Sequence, residues 1–438
     1  MDAVKIICME SFLFPFRYND YNEMYTKRIC SLNRSQDENM NAQTIRCQND
    51  LELYNRLLEH PDVKRVNQLL AKKENERQSG IRRRLLSTSV RLSQGMAPDI
   101  REMADECIET LQGEIPLELY VFPSPNFNAM CFKPEDGRLF IMFSSSLLEA
   151  FSESELRFVM GHELGHHIYG HHDIPIGFLL RGDAKPDPRL ALELFAWSRY
   201  AEISADRAGA HCARELDSVA RSLFKLASGL TGKTIRFDLD DFLNQVDDMQ
   251  LEDAAPGKNA PKEDWFSTHP FSPLRVKALK LYDESEYARR GGTGRAELEV
   301  AVQGLMSLME PSYMEGKTEA ATHMRRLLYA GAIAVADASD GISMEEIAIF
   351  EQFFGMGEFA RSLDLSRIKE DLSNRVEKAR DNTSAPQRMQ VFRDLCLVAK
   401  ASGHATVSER RVLEEIADAL NIPRSFIDQT LEQQVEPD

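Results

Sequence analysis

The sequence predicts an α+β fold, mainly helical, in which a small β-sheet stands beside one capped helix and an all-α region follows. Three observations carry this. β-forming residues concentrate in three short runs between Leu117 and Phe143. A capping signature, Ser152 followed by Glu155, opens a helical stretch directly after them. Beyond about Gly316 the pattern is helical, with Ser343 and Thr406 each followed three residues later by a glutamate.

With 438 residues, 43% hydrophobic and 28% charged, the chain has room for two or three domains and a sizeable core, and its composition does not suggest global disorder. A net charge of -17 disfavours nucleic acid and anionic membranes as partners, because both surfaces are negative. The cysteines at 8, 30, 47, 107, 131, 212 and 396 are odd in number, scattered, and form no C-x-x-C pair, as expected in a reducing compartment. The start lacks a basic segment followed by an apolar one, and the longest apolar candidate, Leu327 to Ala336, stops at Asp337, short of the roughly 18 residues of a span. A soluble, cytoplasmic chain without a transmembrane span is expected.

Residues 1–95 are polar and mostly helical in pattern, with a loop-like run from Asn33 to Asn49 and a periodic stretch at Val63, Val66, Leu69 and Leu70. They read as an N-terminal helical accessory segment, in which Arg82-Arg83-Arg84 is a solvated helix face. Pro98 starts a helix that continues over Ile100 to Leu111. The strands are expected at Leu117 to Phe122, Phe127 to Phe132 and Leu139 to Phe143. An edge strand can bind an extended peptide by main-chain hydrogen bonds. Phe127 to Phe132 is the candidate edge, an ordinary buried strand being the equal alternative.

The helix opened by Ser152 should start near Glu153 and carry His162-Glu163-Leu164-Gly165-His166 in its third turn. Residues four apart on a helix differ by about 40° of rotation, so His162 and His166 can offer ring nitrogens to one ion. Glu163 borders that face and can reach a water beside the ion. Zn2+ with two histidines, a carboxylate and one open position lowers the pKa of bound water, and an adjacent carboxylate can take its proton. His167, His171 and His172 are assigned to the helix end and the loop after it, where cationic side chains suit the dipole.

Asp173 to Pro188 reads as a loop and Ala191 to about Glu215 as a second helix. There Glu202 and Asp206 share a face at i and i+4. Glu202 is the expected third metal ligand, with Asp206 holding a ligand histidine in its tautomer. The acidic stretch Lys233 to Trp265 is a mobile connection or lid. After it, His269 and Arg275 can approach the site, where a cation would stabilise an oxyanion; a helix entry without a catalytic role is the alternative. Arg289 to Gly294 is a linker by composition. Ala338 to Glu346 is weakly repeated at Ala401 to Glu409, as two packed helical hairpins would be.

Several of these residues together resemble metallopeptidase family forty-eight, which holds the CAAX prenyl proteases and HtpX-like zinc peptidases. They are Asn128-Ala129-Met130 before the sheet turns, the histidine motif, Glu202 to Asp206, and Thr268-His269-Pro270 followed by Arg275. They occur in family order over about Met96 to Asp283. The resemblance implies a zincin-like gluzincin endopeptidase acting on polypeptide, with His162, His166 and Glu202 on one Zn2+ per catalytic site and Glu163 as general base. It carries His269 and Arg275 over as active-site residues. Those family members are embedded in membrane and this chain has no span, so a soluble protease for unfolded or peptide substrates, in quality control or stress response, is expected. Residues 316–438 resemble a TerB-like, tellurite-resistance-type helical domain, which implies a partner-binding module. The expected order is thus 1–95 accessory, 96–290 peptidase, 291–315 linker and 316–438 all-α. A non-catalytic or latent scaffold with structural zinc is the rival reading.

Overall fold

The computed structural model describes residues 41–76, 80–181, 188–232, 235–253, 268–309, 313–314, 319–339, 341–361 and 365–432. Residues 33–40 of the loop-like run, residues 233–234 and 254–265 of the acidic connection, and Asp340 lie outside the described residues.

The chain begins with α1 (Ala42–Ile45), α2 (Gln48–Glu59), α3 (Pro61–Glu76) and α4 (Ile81–Thr88), then β1 (Val90–Leu92) and α5 (Pro98–Thr110). The sheet is completed by β2 (Leu117–Phe122), β3 (Ala129–Glu135) and β4 (Arg138–Ser144). Next come α6 (Ser145–Ala150), α7 (Glu153–Ile168), a 3-10 turn (His171–Asp173), α8 (Ile176–Arg181), α9 (Pro188–Ala213), α10 (Leu216–Ser228), α11 (Leu239–Asp253), α12 (Ser272–Asp283) and α13 (Arg295–Met306). The helical remainder is α14 (Glu319–Ala336), α15 (Met344–Phe354), α16 (Glu358–Arg361), α17 (Leu365–Asn382), α18 (Ala385–Ala399), α19 (Val407–Leu420) and α20 (Arg424–Glu432).

The sheet is mixed, in the order β1-β2-β4-β3, with β2 parallel to β4 and the other pairs antiparallel. Its pleat sorts β4 onto two faces: Leu139, Ile141 and Phe143 enter the core with α5 and α7, while Phe140 and Met142 pack with Leu85 of α4. β3 is an edge strand, and Ala129 and Cys131 lie on the core face toward α7. The three expected strands are present, with the second shifted to Ala129–Glu135. The short β1 has no alternating signal of its own and exists by pairing with β2.

Three expectations need correction. The stretch 173–188 is not simply a loop: it contains α8, with Leu179 buried on α2 and α9 residues. Part of the acidic connection is α11, an amphipathic helix that buries Phe242, Leu243 and Val246. The described end of the loop-like run, from Asn41, is mostly helical, because the Asn41 side chain caps α1 at Thr44 N, 3.0 Å away.

Beyond α13 a separate apolar cluster surrounds α14. Leu327 to Ala336, the longest apolar run of the sequence, is its buried centre, which is why that helix is apolar on nearly every side. Both repeat helices open with full capping boxes, Ser343 with Glu346 and Thr406 with Glu409. Within this cluster the buried Asp394 carboxylate accepts a hydrogen bond from Tyr313 Oη.

What positions α7 is its contact with α9. A Cβ on Gly161 would stand 2.8 Å from Cys212 Sγ, and one on Gly165 2.9 Å from Ala208 Cβ. On the facing helix, a Cβ on Gly209 would stand 2.5 Å from the Phe158 carbonyl oxygen. Small residues therefore let the two backbones nearly touch.

Two predictions follow from this packing. Gly209→Ala meets backbone rather than a flexible side chain, so it should lower stability by about 1–3 kcal/mol, as overpacking does, read as a reduced denaturation midpoint. In the helical remainder, burial pushes the Asp394 carboxyl up from 3.8 to about 6. The folded chain then holds an extra proton between those values and loses stability as pH rises through them. Asp394→Asn should therefore melt higher than wild type at pH 7, with the difference vanishing near pH 4.

Candidate metal centre

The capping box expected at Ser152 is formed: the Ser152 amide donates to Glu155 Oε2 at 2.6 Å, and Ser152 Oγ accepts from the Glu155 amide. The buried Glu155 also accepts from Lys225 Nζ at 2.7 Å, which ties α10 to the start of α7. With this end fixed, His162 and His166 project from the third and fourth turns toward α9. Glu202 arrives from that helix across the glycine seam.

The three groups converge. His162 Nε2 and His166 Nε2 are 3.1 Å apart, Glu202 Oε2 is 3.6 Å from the first, and Glu202 Oε1 is 3.4 Å from the second. Donors about 2.0–2.1 Å from one tetrahedral zinc stand about 3.3 Å from each other, so this set has the dimensions of such a site. Among the described residues, these three form the group whose ligand atoms fit around one ion. Glu163 is buried beside them. After burial itself, its charge helps to push up the thiol of Cys131 on β3, the strand against which α7 packs.

Around this set the charges alternate. Asp206, fully buried, is 3.0 Å from His162 Nδ1 and receives Arg275 in a fork, Nε to Oδ2 at 2.8 Å and Nη2 to Oδ1 at 2.6 Å. Arg275 Nη2 also lies 3.4 Å from Glu202 Oε2. Burial alone would raise both carboxylates, but His166, Arg275 and His269 hold Glu202 low, and Arg275 with His162 hold Asp206 low. Burial would lower His166, and Glu202 more than offsets it, raising that imidazole. His269 reaches the group from the exposed side, its Nε2 3.4 Å from Glu202 Oε1 and its Nδ1 2.9 Å from Thr268 Oγ1. Arg275 is thus turned inward onto carboxylates, while His269 stands at the solvent margin.

The edge residues are also placed. Asn128 leads into β3, its amide 3.0 Å from Ser144 Oγ and its carbonyl accepting from the Ser144 amide at 2.8 Å. Ala129 and Met130 follow in register with Phe143 and Met142.

Sequence reasoning missed a second support. His171, assigned to a loop beyond the helix, is buried with its Nδ1 2.8 Å from His166 Nδ1. Its Nε2 is 3.1 Å from Asp50 Oδ2, on α2. Burial pushes the His171 imidazole down to about 4, so it is neutral at physiological pH. Two residues with no local signature therefore stand behind a candidate ligand. The available sequence cue was Gly170, whose φ of 71° turns the chain back under the helix.

Residues 96–180 and 189–283 match Peptidase family M48. The chain is also similar to the plastoglobule-localized metallopeptidase 48, chloroplastic, of Arabidopsis thaliana, with 29% identity over 214 residues. That match covers 46% of this chain and 61% of the relative, so the chain spans about three-fifths of the relative's length. No solved structure matches. No described helix is long and apolar enough to cross a membrane. The residues that match Peptidase family M48 include both the histidine helix and most of the helix that brings Glu202 to it.

Proposed function

We propose that the chain is a zinc-dependent metalloendopeptidase whose ion is held by His162, His166 and Glu202. The observation that carries this is their convergence at zinc-like spacing, with the buried Glu163 following His162 on the same helix, inside the region that matches the peptidase family. Zinc held there would acidify a water and polarise a scissile carbonyl.

This chain's own residues do the rest. Glu163 removes the proton of the attacking water and returns it to the leaving amine nitrogen. The packing of its helix against β3 suits that role, because a substrate strand on the outer edge of β3 would then lie near it. Asn128, Ala129 and Met130 offer main-chain groups to that strand. His269, at the exposed margin, donates to the oxyanion. Arg275 holds Asp206 and Glu202, and Asp206 keeps the Nδ1 proton of His162 so that Nε2 is free to bind.

An extended main chain on an edge strand is available only in unfolded or peptide substrates, which favours a quality-control or stress-response role. The TerB-like reading of the helical remainder assigns it a protein partner. The repeat supports that reading by exposing an apolar residue at the first position of both capped helices, Met344 at 75% and Val407 at 88%.

Wild type should bind zinc and cleave denatured casein, with activity abolished by a chelator and restored by zinc. Glu163→Gln should retain zinc while cleavage falls by at least the ~10²–10⁴-fold typical of a lost general base. Undiminished cleavage by that variant would remove Glu163 from the mechanism.

A further inference from the structure

The two histidines of the candidate centre are backed differently. Behind His162 Nδ1 stands the Asp206 carboxylate, gripped by Arg275. Behind His166 Nδ1 stands a second imidazole, His171, and only then a carboxylate, Asp50. Asp50 is gripped by Arg46 in the same fork, Nε to Oδ2 at 2.8 Å and Nη2 to Oδ1 at 3.2 Å. It also accepts from Ser204 Oγ at 2.7 Å and Trp197 Nε1 at 3.1 Å, and it is fully buried. Each histidine is thus referred to a buried Asp–Arg pair, one directly and the other through an imidazole.

The hydrogen bonds fix one direction along this chain. His166 Nε2 faces Glu202 and His162, so if it binds through that lone pair its proton sits on Nδ1. That proton can be given only to an unprotonated His171 Nδ1. The His171 proton must then be on Nε2, where the Asp50 carboxylate, which has none to give, accepts it.

The turn that carries His171 is itself held from the N-terminal helices. Tyr54 Oη donates to Asp173 Oδ2 at 3.0 Å, and Asn67 Nδ2 donates to the Asp173 carbonyl at 2.7 Å. A Cβ on Gly170 would meet Tyr54 Oη at 2.6 Å, so the turn fits α2 closely.

We infer that His171 is a positioning residue for His166: with Asp50 behind it, it fixes the tautomer and aim of that ring for metal binding. Part of the metal centre's support therefore comes from α2, outside the region that matches the peptidase family. This rests on the metallopeptidase reading.

The test measures zinc affinity of the full chain by competition with a chromogenic chelator, beside the visible spectrum of the cobalt(II)-substituted protein and the melting temperature of the metal-free protein. His171→Phe keeps the ring's bulk and loses both hydrogen bonds. It should weaken zinc about 10–100-fold, the usual effect of losing such a partner, and alter the cobalt spectrum, with the metal-free melting temperature little changed. His171→Asn, which keeps an acceptor near the position of Nδ1, should recover part of the affinity. It also serves as the reporter, through a smaller loss, if the phenylalanine variant does not fold.

Affinity and cobalt spectrum indistinguishable from wild type in the folded variants would overturn the inference. So would an affinity loss that merely tracks unfolding of the metal-free protein. A wild-type chain that binds no zinc would remove the metallopeptidase reading and this inference together. Zinc-dependent cleavage that needs Glu163 but is indifferent to His171 would remove the inference alone.

Discussion

The close approach of α7 to α9 is the constraint on which the candidate site depends. Glu202 is a short side chain, and it meets His162 and His166 only because Gly161, Gly165 and Gly209 remove the Cβ atoms that would hold the helices apart. Glycine inside a helix costs roughly 0.5–1 kcal/mol each relative to alanine, from backbone entropy. Here that cost is set against the packing of two helices and the convergence of three metal-competent groups. The capping box at Ser152 and the Lys225–Glu155 pair fix the start of the histidine helix against α10.

Close helices alone would leave several charges buried, and the structure answers each with a partner. Asp206 is forked by Arg275, Asp50 by Arg46, and Glu299 of α13 accepts from Arg207 of α9 at 2.5 Å. Such pairs add little net stability, because desolvation takes back most of the attraction. Their orientation is the gain: a carboxylate saturated by fixed donors presents its remaining lone pair in one direction. Asp206 and Asp50 direct that lone pair at His162 and His171. The Glu299 pair joins α13 to α9, and Glu299 also accepts from the Gln48 amide at 3.1 Å.

Local features are legible in the sequence. The span of α7, the β2 strand and the capping boxes at Ser343 and Thr406 all depend on neighbours within a few residues, and they occur where expected. The i,i+4 pairs His162 with His166 and Glu202 with Asp206 are likewise geometric facts of one helix. Elements stabilised by distant partners are not legible in this way. β1 needs β2, α8 needs α2 and α9 for its buried face, and α11 hides its apolar stripe within an acidic composition.

The sequence by itself determined that a helix would present two histidines and a glutamate, because helical periodicity and a cap require nothing beyond the segment. It also determined that two carboxylates would share a face of a later helix, and it carried the family resemblance that joined the two. Only the tertiary structure decided that Glu202 closes on the histidines and that Arg275 turns inward. It alone brought Asp50 to His171 across a separation of 121 residues. The reason is physical: a hydrogen bond between buried groups so far apart leaves no periodic trace in the chain, and it forms only when packing removes water from both partners.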